Sequence, residues 1–146
     1  AYLKDAVMNK ISPQIKFLIE HAAITTKLHK QIDICLSYQG ISFTEFLIMH
    51  HLYGSPQHMM RRTDLADSIG ITASGVTRLL APMEKNRIVD KERNPRDARQ
   101  SLVKLTQTGQ QLYRDSMVGF ADFSKNKLKS WTVKEIETVA QLFQEI

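Results

Sequence analysis

Residues 60–109 decide the fold, and their sequence is MRRTDLADSIGITASGVTRLLAPMEKNRIVDKERNPRDARQSLVKLTQTG. The first half contains two short runs of helical character separated by Gly70, a residue that can adopt the left-handed backbone conformation at a helix end. Ala66, Gly70 and Val76 have the spacing of a helix-turn-helix, because two helices that cross steeply need a small residue, a turn and an apolar plug. The alternative at this point is an ordinary helical hairpin.

The second helix of this pair divides into two faces. Its apolar residues recur at helical spacing and should face the core; they are Val76, Leu79, Leu80 and Met83. Ser74, Thr77 and Arg78 lie on the opposite side, where the arginine can pair with a guanine edge or a phosphate. The alternative for Arg78 is an ordinary solvated surface arginine.

Three other residues of the second helix predict features of its start and of its C-terminal half. Thr72 is a good N-cap, so the start of the helix can also meet a phosphate. Gly75 adds no side chain at a point where the helix would enter a groove. Pro82 lacks a backbone donor and costs about 3 kcal/mol inside a helix, which predicts a kink or an early end there.

A charged hairpin is predicted after these two helices. Ile88–Arg93 and Ser101–Leu105 have strand character and flank a loop that opens with the turn signal Asn-Pro. Arg96 and Arg99 surround the lone carboxylate of Asp97, which can orient one guanidinium while the others bind phosphates or a narrow minor groove. A helix-turn-helix followed by such a wing can contact a major groove and the neighbouring minor groove together. The alternative is a solvated, salt-bridged hairpin tip.

Positive charge is concentrated on the same region. The chain has a formal net charge of +5, and residues 61–104 hold ten basic and six acidic side chains, a net of +4. The rest of the chain holds ten basic and nine acidic side chains, so the charge that phosphate binding requires gathers on the helix-turn-helix and the wing. A membrane-surface protein would instead carry a basic amphipathic helix. No apolar run is long enough to span a bilayer, no secretory signal is visible, and a single cysteine fits a reducing compartment, so we expect a cytoplasmic protein.

With these features in place, the segment resembles the core of the multiple-antibiotic-resistance regulator (MarR) family of bacterial transcription factors. The most specific matches are the Asp97-x-Arg99 of the wing and the Leu105-Thr106-x-x-Gly109 that follows it. The other matches are Ile41, Ser42, Phe46, Leu65, Ala66, Gly70, Ile71, Thr72, Val76, Thr77, Arg78, Met83, Glu84, Lys85, Ile88, Val89, Asn94 and Pro95. The resemblance covers residues 40–115 and implies a homodimeric repressor of transcription that binds double-stranded DNA at a pseudo-palindromic operator.

Three departures from the family pattern bear on local structure. Asn86 stands where a glycine is usual at the end of the recognition helix, and asparagine tolerates the same left-handed conformation. Arg61 stands where a hydroxyl N-cap is usual, so that cap is weakened, although Arg61 and Arg62 are cations that can meet phosphates. Ala98 replaces a common basic residue, which weakens the contacts expected of the wing.

The predicted fold class is mainly α with a small two-stranded wing (α+β). A single domain spans residues 1–146, with a winged helix-turn-helix core at 41–106 flanked by dimerisation helices at 1–38 and 107–146. The helix starts are predicted from Ser12-Pro13, from Thr106, and from capping boxes that begin at Ser42 and Thr132.

An apolar surface on the last helix predicts the dimer. That surface consists of Ile136, Val139, Ala140, Leu142, Phe143 and Ile146, and it can be complemented by Leu3, Val7, Phe120, Phe123 and Leu128. A monomer would have trouble hiding all of these side chains, and a two-fold dimer should bind half-sites about one helical turn apart. The alternative is that the helices pack only on their own chain.

The resemblance also implies a small aromatic or anionic effector, bound between the dimer helices and the winged domain. Tyr38, Phe43, His50 and Tyr53 lie near that junction in the sequence and are the candidate pocket residues. Plain core packing is the alternative for all four. An effector would favour a dimer geometry whose recognition helices no longer match the spacing of the grooves.

Other chemistry has less support in the sequence. Cys35 lies on an apolar helical stripe and is interpreted as a small core residue rather than a peroxide sensor. His21 and His29 lack the spacing of a zinc pair, so no metal and no cofactor are predicted. The sequence has no nucleophile elbow, phosphate loop or catalytic carboxylate pair, so no enzyme is predicted. The remaining alternative is a winged-helix protein-interaction module without DNA binding, whose wing and recognition face should be apolar or acidic.

Overall fold

A computed structural model describes residues 10–146 of the chain. Within that range lie six α-helices, three strands and the 3-10 turns Ser37–Gln39 and Pro56–His58. The helices are α1 Pro13–Leu36, α2 Phe43–Tyr53, α3 Arg62–Ile69, α4 Ala73–Lys85, α5 Gln107–Lys127 and α6 Val133–Gln144. The strands are β1 Met59–Arg61, β2 Val89–Asn94 and β3 Asp97–Leu105. Leu3 and Val7, which were expected to complement the last helix, lie outside the described residues.

Side-chain caps set the starts of the helices that flank the core, as the sequence predicts. Ser12 Oγ accepts the backbone N–H of Ile15 at the start of α1. In the capping box of α2, Ser42 Oγ accepts the N–H of Glu45 at 3.1 Å, and the Glu45 carboxylate accepts the N–H of Ser42 at 3.0 Å. At the start of α5, Thr106 Oγ1 accepts the backbone N–H of Gly109. Thr132 begins a second complete capping box at α6. These bonds satisfy backbone donors that the first turn of a helix leaves unpaired.

The predicted two-stranded wing is confirmed as the β2-β3 hairpin, and a third strand that was not predicted extends the antiparallel sheet to the order β1-β3-β2. The missing strand, β1, pairs Met59 with Lys104 and Arg61 with Leu102. Its three residues are too few to show the alternation of apolar and polar residues by which a strand is recognised in a sequence. The hairpin loop is also shorter than predicted, because β3 begins at Asp97 and only two residues separate the strands.

The core lies between α2, the helix-turn-helix and the sheet. Its fully buried side chains come from every one of these elements and include Phe46, Ile48, Met49, Leu52, Leu65, Val76, Leu80, Met83, Val89, Val103 and Leu105. Gly70 ends α3 with a left-handed φ of 76°, and its N–H donates to the carbonyl of Ala66. The predicted helix-turn-helix is therefore present, with Val76 buried as its plug.

Two local expectations for the C-terminal half of α4, an early end at Pro82 and a left-handed Asn86, do not hold. The helix does not end early at Pro82, since it continues to Lys85; Pro82 is exposed, so water can reach the Arg78 carbonyl that loses its helical partner. The left-handed residue is Arg87, with a φ of 57°, whereas Asn86 has a φ of −85°. The N–H groups of Arg87 and Ile88 donate to the carbonyls of Glu84 and Met83, which is the bonding of a Schellman motif.

Candidate nucleic-acid interface

The α4 helix presents the polar face that its sequence predicts. Ser74, Thr77 and Arg78 are all exposed, while Val76 on the opposite side is fully buried. Thr72 Oγ1 accepts the N–H of Gly75 at 3.1 Å, which fixes the start of the helix. The surface of α4 therefore offers a hydroxyl-rich first turn and one arginine to the solvent.

Gly75 does not lie where it was expected. A Cβ at this position would be 3.2 Å from Thr72 Oγ1 and 3.7 Å from Ile71 Cδ1, so it would point into the turn rather than toward a groove. The absence of a side chain leaves room for the threonine cap. Gly75 thus supports the local structure of the helix start and does not extend the exposed polar face.

The wing presents arginines that are free of carboxylates. Arg93, Arg96 and Arg99 are exposed, and no acidic oxygen of residues 10–146 lies within 4.0 Å of their guanidinium groups. The role predicted for Asp97 was wrong, since its carboxylate accepts the backbone N–H of Arg99 at 3.0 Å and orients no guanidinium. Asn94 Oδ1 accepts the N–H of Arg96 in the same manner, so two short side chains shape the tip of the hairpin.

Arg61 forms an ion pair within its own helix start. Its Nε donates to Asp64 Oδ2 at 2.8 Å and its Nη2 donates to Asp64 Oδ1 at 3.2 Å. The hydrogen bonds to Asp64 and its negative charge raise the pKa of Arg61 above its ordinary value. Arg61 occupies the N-cap position of α3 without a side-chain cap, as expected from the missing hydroxyl. Its charge is shared with Asp64, which weakens the case for a phosphate contact.

Arg62 bonds within the protein through all three of its guanidinium nitrogens. Nη2 donates to Glu84 Oε1 at 2.8 Å, Nη1 donates to Thr77 Oγ1 at 3.3 Å, and Nε donates to Ser101 Oγ at 3.2 Å. The side chain is only 15% exposed. Three of the five N–H groups of Arg62 are thus bonded within the protein, so the residue joins α3, α4 and β3 and the case for a phosphate contact is weakened. The sequence offered one signal for this bridge, because Glu84 is the only acidic residue of α4.

The four residues predicted to line an effector pocket do not lie together. His50 and Tyr53 border a cavity of about 510 Å³ that is also lined by His51, Gly54, Ser55, Met60, Ser68 and Tyr113. Tyr38 is 89% exposed and outside this cavity. Phe43 packs against the rings of His29 and Phe120 at centroid distances of 5.2 and 5.8 Å. His50 and Tyr53 of the predicted set therefore border one cavity, whereas Tyr38 and Phe43 do not, and Tyr113 was not predicted.

Tyr113 lines this cavity from α5. Its hydroxyl lies 2.7 Å from His50 Nδ1, and its ring centroid lies 4.6 Å from that of Tyr53. Burial, together with Tyr53, raises the pKa of Tyr113, so its phenol stays protonated at neutral pH. Burial and the neighbouring His50 lower the pKa of His51. The signal in the sequence was position, because Tyr113 lies one helical turn after Gly109 and therefore faces the core side of α5.

The flanking helices expose apolar side chains on the described part of the chain. On α1, Ile15, Leu18 and Ile19 are 50–59% exposed, and on α6, Leu142 is 56% exposed. Phe143 touches α1 at the rings of Phe17 and His21. Cys35 is half-buried, and its thiol donates to the Gly119 carbonyl at 3.6 Å, which fits the predicted packing role.

The part of the chain that the structure describes holds no candidate membrane span and no candidate metal cluster. No helix between residues 10 and 146 has both the length and the apolar character needed to cross a bilayer. The same residues contain no group of three His, Cys, Asp or Glu side chains arranged to hold a metal ion.

A sequence profile of the MarR family matches residues 39–100, the segment that contains the helix-turn-helix and most of the wing. The winged-helix segment is therefore similar to the MarR family. The resemblance inferred from the sequence is thus confirmed, and the match ends within β3, so α5 and α6 lie outside it. No curated protein matches the sequence at a significant level.

Solved MarR-family structures share the fold over most of the chain. A transcriptional regulator from Streptomyces coelicolor in complex with DNA has a TM-score of 0.82 and 22% identity, covering 92% of this chain and 86% of its own. A mutant MarR from E. coli complexed with operator DNA has a TM-score of 0.79 and 21% identity, covering 91% and 93%. The PcaV regulator from Streptomyces coelicolor, in complex with its natural ligand, has a TM-score of 0.71 and 18% identity, covering 84% and 87%. The predicted winged helix-turn-helix fold is confirmed.

Proposed function

We propose that the protein is a homodimeric transcriptional regulator that binds a pseudo-palindromic operator in duplex DNA. The observation that carries the proposal is one continuous surface made by α4 and the wing. Arg62 bonds to both Thr77 of α4 and Ser101 of β3, so the exposed face of the helix adjoins the base of the arginine-bearing hairpin. A helix that fits a major groove beside a cationic hairpin that reaches the next minor groove is suited to sequence-specific binding.

The charge of this surface argues against a protein-interaction module that does not bind DNA. Such a module should carry an apolar or acidic wing, whereas Arg93, Arg96 and Arg99 are exposed and pair with no carboxylate of residues 10–146. Of the residues expected to contact DNA, we keep Thr72, Ser74, Thr77 and Arg78 on α4 and Arg96 and Arg99 on the wing. Asp97, Gly75, Arg61 and Arg62 support the shape of this surface in the ways described above. A regulator of this kind acts on the chromosome, and hence in the bacterial cytoplasm.

The proposed dimer rests on the exposed apolar surfaces of the flanking helices. The winged core at 41–106 buries its own apolar side chains, whereas α1 and α6 leave Leu18, Ile19, Leu142 and Phe143 at 41–59% exposure. Apolar patches of this size on a soluble domain are typical of an interface between protein chains. A second copy would cover them through a two-fold contact, which would also pair two α4 helices for a palindromic site.

The regulator hypothesis predicts duplex binding that depends steeply on salt. Fluorescence anisotropy of a labelled random-sequence duplex, titrated with the protein at several salt concentrations, measures the dependence. If two wings and two helix starts contact six to ten phosphates, affinity should fall by roughly 10³–10⁵ between 50 and 200 mM salt. A single-stranded DNA of the same composition is the control and should show a shallower dependence. Absence of duplex binding at 50 mM salt would favour the protein-interaction module.

We further propose that the cavity beside Tyr113 binds a small aromatic or anionic effector. The cavity is bordered by α2, β1, α3 and α5, so an occupant would touch both the helix-turn-helix and a flanking helix. His50 and the two tyrosines supply polar groups and aromatic faces in a concave site, which is the usual composition of a ligand pocket. Binding there would change the position of α3 relative to α5 and thereby weaken operator binding, as expected of a ligand-responsive repressor.

Benzoate serves as the probe of this cavity. We expect benzoate to raise the thermal unfolding midpoint of the wild-type protein, and His50→Ala to weaken benzoate binding roughly tenfold through loss of one charge-assisted hydrogen bond. Tyr38→Ala is the control, since Tyr38 is exposed and outside the cavity. Equal benzoate binding by the wild type and His50→Ala, or no binding at millimolar benzoate, would exclude this site for aromatic acids.

A further inference from the structure

We propose that Arg62 is a positioning residue that fixes the recognition helix α4 relative to the wing and sets the hydrogen-bonding direction of Thr77. The inference rests on the proposed DNA-binding function and deepens it. Arg62 is the first residue of α3, yet its guanidinium reaches α4 and β3 at once. These are the two elements whose relative position decides whether a helix and a hairpin fit neighbouring grooves together.

The bridge is anchored by a charge cluster that is largely removed from water. The side chains of Arg62 and Glu84 are 15% and 24% exposed, and their ion pair has an N···O distance of 2.8 Å. The second carboxylate oxygen of Glu84 lies 3.6 Å from Lys91 Nζ on β2. Glu84 is therefore held from α3 on one side and from the wing on the other. A mostly buried carboxylate with two cationic partners holds its geometry far better than an exposed ion pair does.

The fork of the guanidinium explains why an arginine stands at this position. Its nitrogens are spaced to serve Glu84, Thr77 and Ser101 at the same time, which a lysine ammonium on a flexible stem cannot do with fixed angles. A lysine would retain the charge and the pairing with Glu84. It would lose the defined direction toward the two hydroxyls.

This contact fixes which way the Thr77 hydroxyl can hydrogen-bond. A guanidinium has only donors, so Thr77 Oγ1 must accept from Arg62 Nη1, at 3.3 Å. The hydrogen of the Thr77 hydroxyl is then directed elsewhere, and Thr77 is exposed. On a duplex, an outward-pointing O–H can donate to a purine N7, a guanine O6 or a thymine O4 in the major groove. Arg62 thus favours base pairs that place an acceptor opposite Thr77, without touching the DNA itself.

The competing interpretation is that Arg62 leaves its internal partners and binds a phosphate. The two interpretations differ in what they predict for Glu84. If Arg62 binds phosphate, Glu84→Gln frees the guanidinium, removes a negative charge near the DNA and strengthens binding. If Arg62 positions α4 and the wing, Glu84→Gln weakens specific binding even though the protein becomes more positive.

The experiment measures the affinities of Glu84→Gln and Arg62→Gln for a duplex selected from a random library by the wild-type protein, and for a scrambled duplex. Glu92→Gln is the matched control, because it removes the same charge from β2, where Glu92 pairs with Lys104 and not with Arg62. We expect both test variants to lose roughly tenfold in affinity for the selected duplex and to keep their affinity for the scrambled one. The ratio of the two affinities is the decisive quantity, since a general loss of stability lowers both together.

Thr77→Val extends the test to a variant whose fold is not at risk, because Thr77 is exposed on α4. We expect Thr77→Val to relax base preference at the same position of the selected site as Arg62→Gln does, and the double variant to relax it no further. An unchanged or tighter affinity of Glu84→Gln for the selected duplex, matching Glu92→Gln, would overturn the inference. So would additive effects of Thr77→Val and Arg62→Gln. Failure of the wild type to select any duplex would instead remove the proposed function, and the inference with it.

Discussion

Arg99→Ala should abolish operator binding at physiological salt while the protein stays folded. Arg99 is exposed on β3 and only its backbone is held, by the carboxylate of Asp97, so its guanidinium is free to enter a groove. One well-placed arginine contributes about 2 kcal/mol, or about 30-fold, to each half-site. A symmetric dimer carries the residue twice, so the loss should approach about 1000-fold.

Anisotropy with the selected duplex measures this loss, and circular dichroism confirms that the variant is folded. Arg114→Ala on α5 is the matched control, because it removes the same charge from an exposed position outside α4 and the wing. We expect the control to stay within about threefold of the wild type, as charges beyond a Debye length are screened. A wild-type affinity in Arg99→Ala would show that the wing does not contact DNA through this residue.

Gly109→Ala should destabilise the fold by about 3 kcal/mol and lower the unfolding midpoint by roughly 10 °C. A Cβ at this position would clash with the Ile88 carbonyl oxygen and would lie 2.5 Å from Leu105 Cδ1. The carbonyl cannot easily move, because it accepts from the backbone N–H of Thr106 at 3.1 Å. The substitution would therefore push α5 away from the base of the wing.

Gly119→Ala provides the control on the same helix. Apart from the adjoining backbone of α5, no atom of residues 10–146 lies within 4 Å of the position that its Cβ would take, and its φ is not positive, so alanine should stabilise α5 by about 0.5–1 kcal/mol. Thermal and urea unfolding measure both variants. Equal stability of Gly109→Ala and the wild type would mean that the close contact between α5 and Ile88 is not present in solution.

Local patterns in the sequence predicted the helices and their starts because caps and periodicity act over three to four residues. Ser42 and Glu45 are close in the sequence and bond to each other, so their capping box was visible without a structure. The turn at Gly70 was visible for the same reason, since only few residues accept a positive φ.

Features that depend on contacts between distant residues were missed or wrongly assigned. The strand β1 exists because Met60 pairs with Val103, a partner 43 positions away. Arg62 was expected to bind phosphate because an arginine near a helix start looks available, and only the fold brings Glu84 and Ser101 to it. Tyr113 was missed because the cavity joins α5 to α2, which are far apart in the sequence.

Wing residues show the same division between local and long-range effects. The sequence predicted a charged hairpin correctly, since strand runs and the Asn-Pro turn are local signals. It assigned Asp97 to a guanidinium because opposite charges attract, whereas the short side chain of Asp97 reaches the backbone N–H of Arg99 first. The carboxylate of an aspartate lies close to the backbone N–H of the residue two positions later, whereas the head group at the end of a long, solvated arginine side chain lies farther away.

The most direct test of the central claim is selection of binding sites from a random duplex library at near-physiological salt, followed by sequencing. If two copies of the α4 and wing surface contact successive major grooves, the selected sites should contain a pseudo-palindrome with half-sites about one helical turn, or about 10 base pairs, apart. Selected duplexes without any shared motif, from a protein shown to be folded, would contradict sequence-specific recognition by a dimer.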